Sequence, residues 1–206
     1  MPESSDTTAT RAAVLELKEE HQVVREGYDF LDEKRLLLAA ETLRQLGQYQ
    51  DLIGKFGKAH HRAVSAIADT VDHHGLSGLQ VYPAETLEHA RVQRASRSFL
   101  GVTLIESRLE NPSHEASAAA VYPSAQAHRC HCRVGELIEQ AAVVAGVAGN
   151  LLRLTAEYRR TERRARALED VILPEIEETL REMETHLEEV DQEETIRTRL
   201  HYGAKQ

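Results

Sequence analysis

The chain is predicted to be mainly α: two long helical arms, one from each end, pair antiparallel as a coiled coil with a small α/β head inserted between them. Three observations carry this. Apolar residues recur at alternating three- and four-residue steps over long stretches near both ends, the spacing that keeps one helix stripe on a partner and winds the pair left-handed. The 206 residues are 41% hydrophobic but only 4% aromatic, with 29% charged side chains and no Trp, a mix that suits long helices better than a thick core. The intervening stretch has a different texture, with Pro83, Pro112 and Pro123, clustered serines and little seam.

Residues 1–9 are expected to be disordered, and Thr10 is placed to cap the first arm, read as a helix over 10–73. Its seam is Val14, Leu17, His21, Val24, Tyr28, Leu31, Arg35 and Leu38, continued by Leu46, Tyr49, Ile53 and Phe56 and then by Ala63, Ile67 and Val71. Gly27, Gly47, Gly54 and Gly57 each weaken such a helix by roughly 1 kcal/mol relative to Ala. At about 1.5 Å per residue the arm would span roughly 95 Å. Gly75 is the expected left-handed stop.

The head covers 74–124. A short helix is expected over Ala84–Arg97, a strand over Gly101–Leu109, a turn at Asn111-Pro112-Ser113, and a return strand near Ala119–Tyr122 that completes a hairpin. Ser124 then caps the second arm, which runs over 125–201, leaving 202–206 frayed. The apolar face starts with Leu137, Ile138, Val143, Val144 and Val147, with Gly146 and Gly149 loosening the helix. Its seam is Leu151, Leu154, Tyr158, Thr161, Ala165, Leu168, Ile172, Ile176, Leu180, Met183, Leu187 and Val190. From Leu168 to Leu180 the step becomes 4,4,4, a stutter that locally unwinds a supercoil, and Pro174 adds a bend there. Each seam needs a cover, so the two arms are expected to cover each other.

Composition narrows the function. A net charge of −9 argues against duplex nucleic acid as the main partner. No run of about eighteen uncharged apolar residues predicts a membrane span, and the first ten residues lack the apolar core of a signal peptide. Cys130 and Cys132 make no disulfide framework, which fits a reduced, cytosolic setting. There is no HExxH, no DxDxDG loop and no phosphate-binding GxxxxGK[ST]. No catalytic residue and no cofactor are therefore predicted: the many carboxylates sit on charged helix faces, where nothing shifts a pKa for acid–base work.

His128, His131 and Cys132 share a helix face within about a turn if the second arm starts at Ser124. They lack the fourth ligand and the C-x(2–4)-C spacing of a structural zinc site, so the bland reading, a polar helix start, is preferred. His60-His61 and His73-His74 read as solvent or junction residues.

The runs Arg163-Arg164-Ala165-Arg166-Ala167-Leu168-Glu169, Val171-Ile172-Leu173-Pro174 and Glu178-Thr179 resemble the D subunit of the rotary V/A-type ATPases. Leu17-Lys18, the Gly27 to Lys34-Arg35 pattern and Phe99-Leu100-Gly101-Val102 add to the likeness. Arg166 stands where the family usually carries Asn, and Thr195–Leu200 is less Lys-rich and lacks aromatics. The resemblance implies a non-catalytic central rotor without a nucleotide site of its own. It implies pairing with the F subunit, insertion of the paired terminal helices into a ring of three A and three B subunits, and contact with the subunit that links to the membrane rotor. ATP turnover would thereby be coupled to proton or sodium ion movement, in the cytoplasm at the periphery of the inner or plasma membrane.

Charge is banded along the second arm. Arg153 to Arg166 is basic, laced with Glu157 and Glu162, whereas Glu175 to Glu194 is strongly acidic. Arg159, Arg160, Arg163, Arg164, Arg197 and Arg199 are the expected partner contacts. Two other readings use the same residues: a coiled-coil scaffold or adaptor without a motor role, and a metal-responsive regulator working through the His/Cys cluster.

Overall fold

The computed structural model describes residues 10–79, 90–110 and 124–203. It has a long N-terminal helix, α1 (Arg11–Leu79), and a long C-terminal helical run made of α2 (Ala125–Ala167), a π-helical turn (Leu168–Ile172) and α3 (Leu173–Gly203). A two-stranded antiparallel sheet of β1 (Arg91–Phe99) and β2 (Val102–Glu110) lies between them in sequence. The chain divides into two compact units, residues 1–36 with 159–206, and residues 37–158.

Local chemistry sets the helix ends. Thr10 Oγ1 accepts a hydrogen bond from the Ala13 N–H at 3.1 Å, and Ser124 Oγ accepts one from the Ala127 N–H at 3.2 Å. Each satisfies an N-terminal donor that has no intrahelical partner. α1 breaks at Gly75, whose φ of 68° fits the expected positive-φ stop but whose ψ of 164° lies outside the left-handed helical region. That backbone region is open essentially to Gly alone, and it lets the helix resume to Leu79 instead of ending at residue 73.

In the first unit the seam of α1 is Val14, Leu17, His21, Val24, Tyr28, Leu31 and Arg35, all buried or half-buried. Facing it come Thr161, Ala165, Leu168, Leu173, Ile176, Leu180, Met183 and Leu187, with Val190 exposed. The predicted 4,4,4 stutter is corrected: Ile172 is exposed, Leu173 takes its place, and the seam takes a five-residue step from Leu168. The physical reason is the π turn, closed by the Leu173 N–H bonding the Leu168 carbonyl five residues back. Pro174 has no N–H and its ring crowds the carbonyl four residues earlier in a regular helix. One wide turn just before it relieves that crowding and carries the extra residue.

In the second unit α1 keeps a strict 4,3 repeat through Leu38, Gln45, Tyr49, Leu52, Phe56, Ala59, Ala63, Ala66 and Thr70, with Leu38 and Gln45 spanning one heptad. Leu46, Ile53 and Ile67, expected in the seam, are 39–44% exposed. Small and polar side chains take the inner positions instead: Thr70 is buried because its hydroxyl donates to the Ala66 carbonyl at 2.6 Å. Larger aliphatics are thus left outside the seam at seven-residue multiples.

The hairpin is also shifted from its predicted place. Strand β2 matches the expected Gly101–Leu109 strand, but its partner lies upstream, pairing Arg91 with Glu110 through to Phe99 with Val102. Residues 91–97 are strand, not the C-terminal half of a helix over Ala84–Arg97; the return strand at Ala119–Tyr122 lies outside the described residues. Leu100 (φ 49°) and Gly101 (φ 87°) form the two-residue turn, both with the positive φ that matches strand twist. Leu100 tolerates this strained conformation because it packs on the cluster of Leu38, Val102, Leu104 and Leu154, with Phe99 and Tyr158.

Candidate functional site

Of the residues that carry the family resemblance, the helical stretches Gly27–Arg35 and Arg163–Pro174 come together around the π turn in the first unit, whereas Phe99–Val102 forms the hairpin turn of the second. A Cβ placed on Gly27 would lie 3.9 Å from Leu168 Cδ1, so the two helices approach here at ordinary contact distance. Tyr28, the next residue, faces Glu169: burial, followed by the charge of the Glu169 carboxylate and the hydrogen bond to it, raises the phenol above its ordinary value. One turn on, Arg35 pairs with Asp32 at 2.5 Å. A ladder of surface contacts follows the same antiparallel register toward the chain ends: the His21–Glu177 hydrogen bond at 3.2 Å and the ion pairs Lys18–Glu184 at 2.6 Å and Arg11–Asp191 at 2.8 Å. Exposed pairs contribute only about 0–1 kcal/mol each; they mark register more than they hold it.

The arginine belt lies on the outer surface beside this site. Arg159, Arg160, Arg163 and Arg164 are exposed on the last turns of α2, as are Arg197 and Arg199 near the end of α3. Arg163 Nε reaches the Arg159 carbonyl at 3.3 Å, and Arg166 pairs with Glu162 at 2.8 Å. Thr161 and Ala165, buried in the seam, alternate with the belt and turn it outward.

In the second unit the chain spends its buried polar groups on holding the hairpin, and here sequence reasoning missed the decisive residues. Asn150 is 3% exposed. Its Oδ1 accepts from the Ile105 N–H at 2.7 Å and its Nδ2 donates to the Ile105 carbonyl at 3.0 Å, so one side chain satisfies the β2 edge as a neighbouring strand would. Arg153 donates to the same Oδ1 at 2.7 Å. Ser107 Oγ donates to the Ala142 carbonyl at 2.6 Å, and the missing Cβ of Gly146 is what admits it. Gly146 is therefore a docking position and not merely a weak point of the helix.

Glu41 ties the other strand to α1. It accepts from Arg44 Nε at 2.7 Å and Nη2 at 2.6 Å, from Gln45 at 3.1 Å and from Arg97 of β1 at 2.8 Å. The Arg44 hydrogen bonds foremost, opposed by burial and aided by Gln45 and Arg97, bring its carboxyl down to about 2. A carboxylate held this way, by three donors on Oε1 and one on Oε2, is a strut that stays ionised rather than an acid–base group. No signal in a single sequence marks Asn150 or Glu41, because both are polar residues in helix stretches with many polar neighbours.

The metal candidates come only partly together. Cys132 Sγ lies 3.7 Å from His128 Nε2, while no group of three His, Cys, Asp or Glu side chains fit to hold a metal occurs among the described residues. Cys130 and Cys132 are free thiols. By length and composition alone, one stretch of the run Ala125–His201 is apolar enough to cross a membrane, contrary to the sequence reading. That run also carries the hairpin contacts at Ala142 and Asn150 and the Arg133–Glu136 pair at 2.9 Å.

Paired helical arms in fixed antiparallel register, an internal π turn packed opposite Gly27 and a strand hairpin clamped to the second arm define a coiled-coil hairpin protein. The model of the ATP synthase D-subunit family matches residues 13–201. The chain belongs to that family. It is 25% identical over 192 residues to the D subunit of the V-type ATP synthase of Thermotoga neapolitana, covering 91% of this chain and 93% of that one. It is 28% identical over 204 residues to the D subunit of the A-type ATP synthase of Pyrococcus horikoshii, covering 96% and 94%. With the corresponding A-type D subunit of Methanoregula boonei it shares 26% identity over 197 residues, covering 93% of each.

Proposed function

We propose that this chain is the non-catalytic central rotor of a V/A-type ATP synthase. In this reading the paired terminal helices sit inside a ring of three A and three B subunits, the F subunit binds alongside, and the other end of the chain meets the component on the membrane rotor. ATP turnover in the ring is then coupled to ion movement, and the chain works at the membrane periphery as part of the complex.

The observation that supports this best is the pairing of the two ends of the chain, marked from Arg11–Asp191 to Tyr28–Glu169. A rotor must pass torque without spending it in bending, and two helices locked side by side resist twist far better than one. The two helices are unlike in charge and sequence, so a turning shaft shows each of three equal sites a different face. The solvent-facing aliphatics Leu46, Ile53 and Ile67 also fit a chain that is covered in its assembly.

The test replaces Arg159, Arg160, Arg163 and Arg164 together with Gln in the reconstituted complex. Loss of assembly, or ATPase activity that no longer drives ion movement, is expected. Full coupled activity in that variant would remove the belt from the proposal. A chain that purifies without A, B and F subunits would favour the scaffold reading instead.

A further inference from the structure

We infer that the free edge of β1 is a docking strand for an extended, acidic segment of another subunit, added to the sheet by main-chain hydrogen bonds. The inference rests on the assembly reading above.

The hairpin has two edges, and among the described residues only one is closed. Asn150 takes both the N–H and the carbonyl of Ile105. Ile105 therefore turns its backbone groups away from β1, and its partner Ser96 turns its own the opposite way, outward. Alternation along the strand then places the N–H and carbonyl groups of Val92, Arg94, Ser96 and Ser98 on the outer edge. Ala95, Arg97 and Phe99 point inward and bond β2. Nothing among the described residues bonds the outer groups, and every β1 residue except Phe99 is exposed.

Natural sheets blunt such an edge with Pro, a bulge, an inward charge or a cover. Strand β1 is nine residues long, with regular register and no Pro. What it carries is charge of one sign: Arg91, Arg94 and Arg97 and no acidic residue, on a chain whose net charge is −9. Arg97 is engaged by Glu41, and the Glu110 carboxylate across from Arg91 accepts from Gln93 at 2.6 Å. Arg94 faces Ser107 in register and has no acid across the strand. It sits in the middle of the open positions, next but one to Val92, which is 47% exposed.

An incoming strand is thus read as an acidic residue opposite Arg94 and an apolar one two positions away, opposite Val92. Opposite charges across a strand pair favour the match, the backbone supplies affinity, and the alternate side chains supply selectivity.

Residue-resolved hydrogen–deuterium exchange on the isolated chain and on the purified ATP synthase complex containing it tests this. The Val92, Arg94, Ser96 and Ser98 amides are expected to exchange fast in the isolated chain and about a hundredfold slower in the complex. The Ala95 and Arg97 amides, bonded to β2, serve as internal controls protected in both. Equal, fast exchange of the four outer amides in both samples overturns the inference and leaves the rotor reading standing. Protection already present in the isolated chain assigns the edge to this chain or to a second copy, and also overturns it. Ser96→Pro removes an outward N–H without touching the β2 ladder, and Arg94→Glu reverses the central charge. Each is expected to keep the thermal midpoint of the isolated chain and to lose at least tenfold in competition with wild type for incorporation. Equal incorporation of both variants refutes the docking strand, whereas failure of the wild-type chain to enter the complex refutes the rotor reading and the inference with it.

Discussion

Gly146→Ala puts the hairpin dock to the sharpest test, because helix propensity and packing pull in opposite directions. Propensity alone predicts a gain of about 1 kcal/mol. The geometry reverses it: a Cβ at Gly146 would lie 2.2 Å from Ser107 Oγ and 3.3 Å from both the Cβ and the backbone N of Ser107. The hydroxyl must swing away, losing its bond to the Ala142 carbonyl, worth about 0.5–1.5 kcal/mol. The backbone contact remains, so β2 must also move by a few tenths of an ångström, straining its packing by about 1–3 kcal/mol. The net expectation is a loss of about 1–3 kcal/mol, or roughly 2–12 °C in thermal midpoint for a chain of this size. Thermal unfolding followed by circular dichroism reads it. Gly47→Ala is the control: a Cβ there meets nothing within 4 Å, so it should stabilise. Ser107→Ala in the Gly146→Ala background should recover part of the loss, because the closest clash disappears. If Gly146→Ala proves as stable as Gly47→Ala, the close docking of β2 on α2 is wrong.

Other expectations follow from the same contacts. Asn150→Ala strips both bonds from Ile105 and should destabilise by about 2–4 kcal/mol; a midpoint unchanged in urea would show that water serves this edge equally well. Glu41 has a folded-state pKa of about 2 against an ordinary 4.5, so its stabilisation is fully present above pH 4.5 and is lost as pH falls from 4.5 toward 2. The drop corresponds to at most about 3 kcal/mol, and acid titration of Glu41→Gln beside wild type should show a shallower decline in that window. Deleting exposed Val171 should convert the π turn to α-helix with the seam in register, but force Pro174 against a regular turn at about 3 kcal/mol. Adding Pro174→Ala should restore the midpoint, and a double variant no better than the deletion would disconnect the π turn from the proline.

Much of the fold was legible because helix pairing is written in local spacing. The apolar stripe over residues 14–38, the caps at Thr10 and Ser124, the break at Gly75 and the irregularity before Pro174 each depend on residues within a turn or two of one another. What was misread depends on distance in sequence. The strand over 91–97 carries only one β-branched residue, Val92, and several helix formers, so local propensity pointed to a helix. It is a strand because β2 pairs with it, and the far edge of β2 is held by Asn150, some 45 residues away. The Leu100-Gly101 turn lacked the Asn-Gly signal, since burial of Leu100 rather than turn chemistry stabilises its positive φ.

By itself, then, the amino-acid order determined two long helical arms, for periodicity acts residue by residue along a helix. The tertiary structure alone decided which apolar residues face inward around the π turn, where Leu173 displaces Ile172. It also decided which polar side chains are buried as struts and which edge of the hairpin Asn150 closes. Those outcomes arise from competition among groups far apart in the chain for one another's hydrogen bonds and space, and no local pattern encodes who wins.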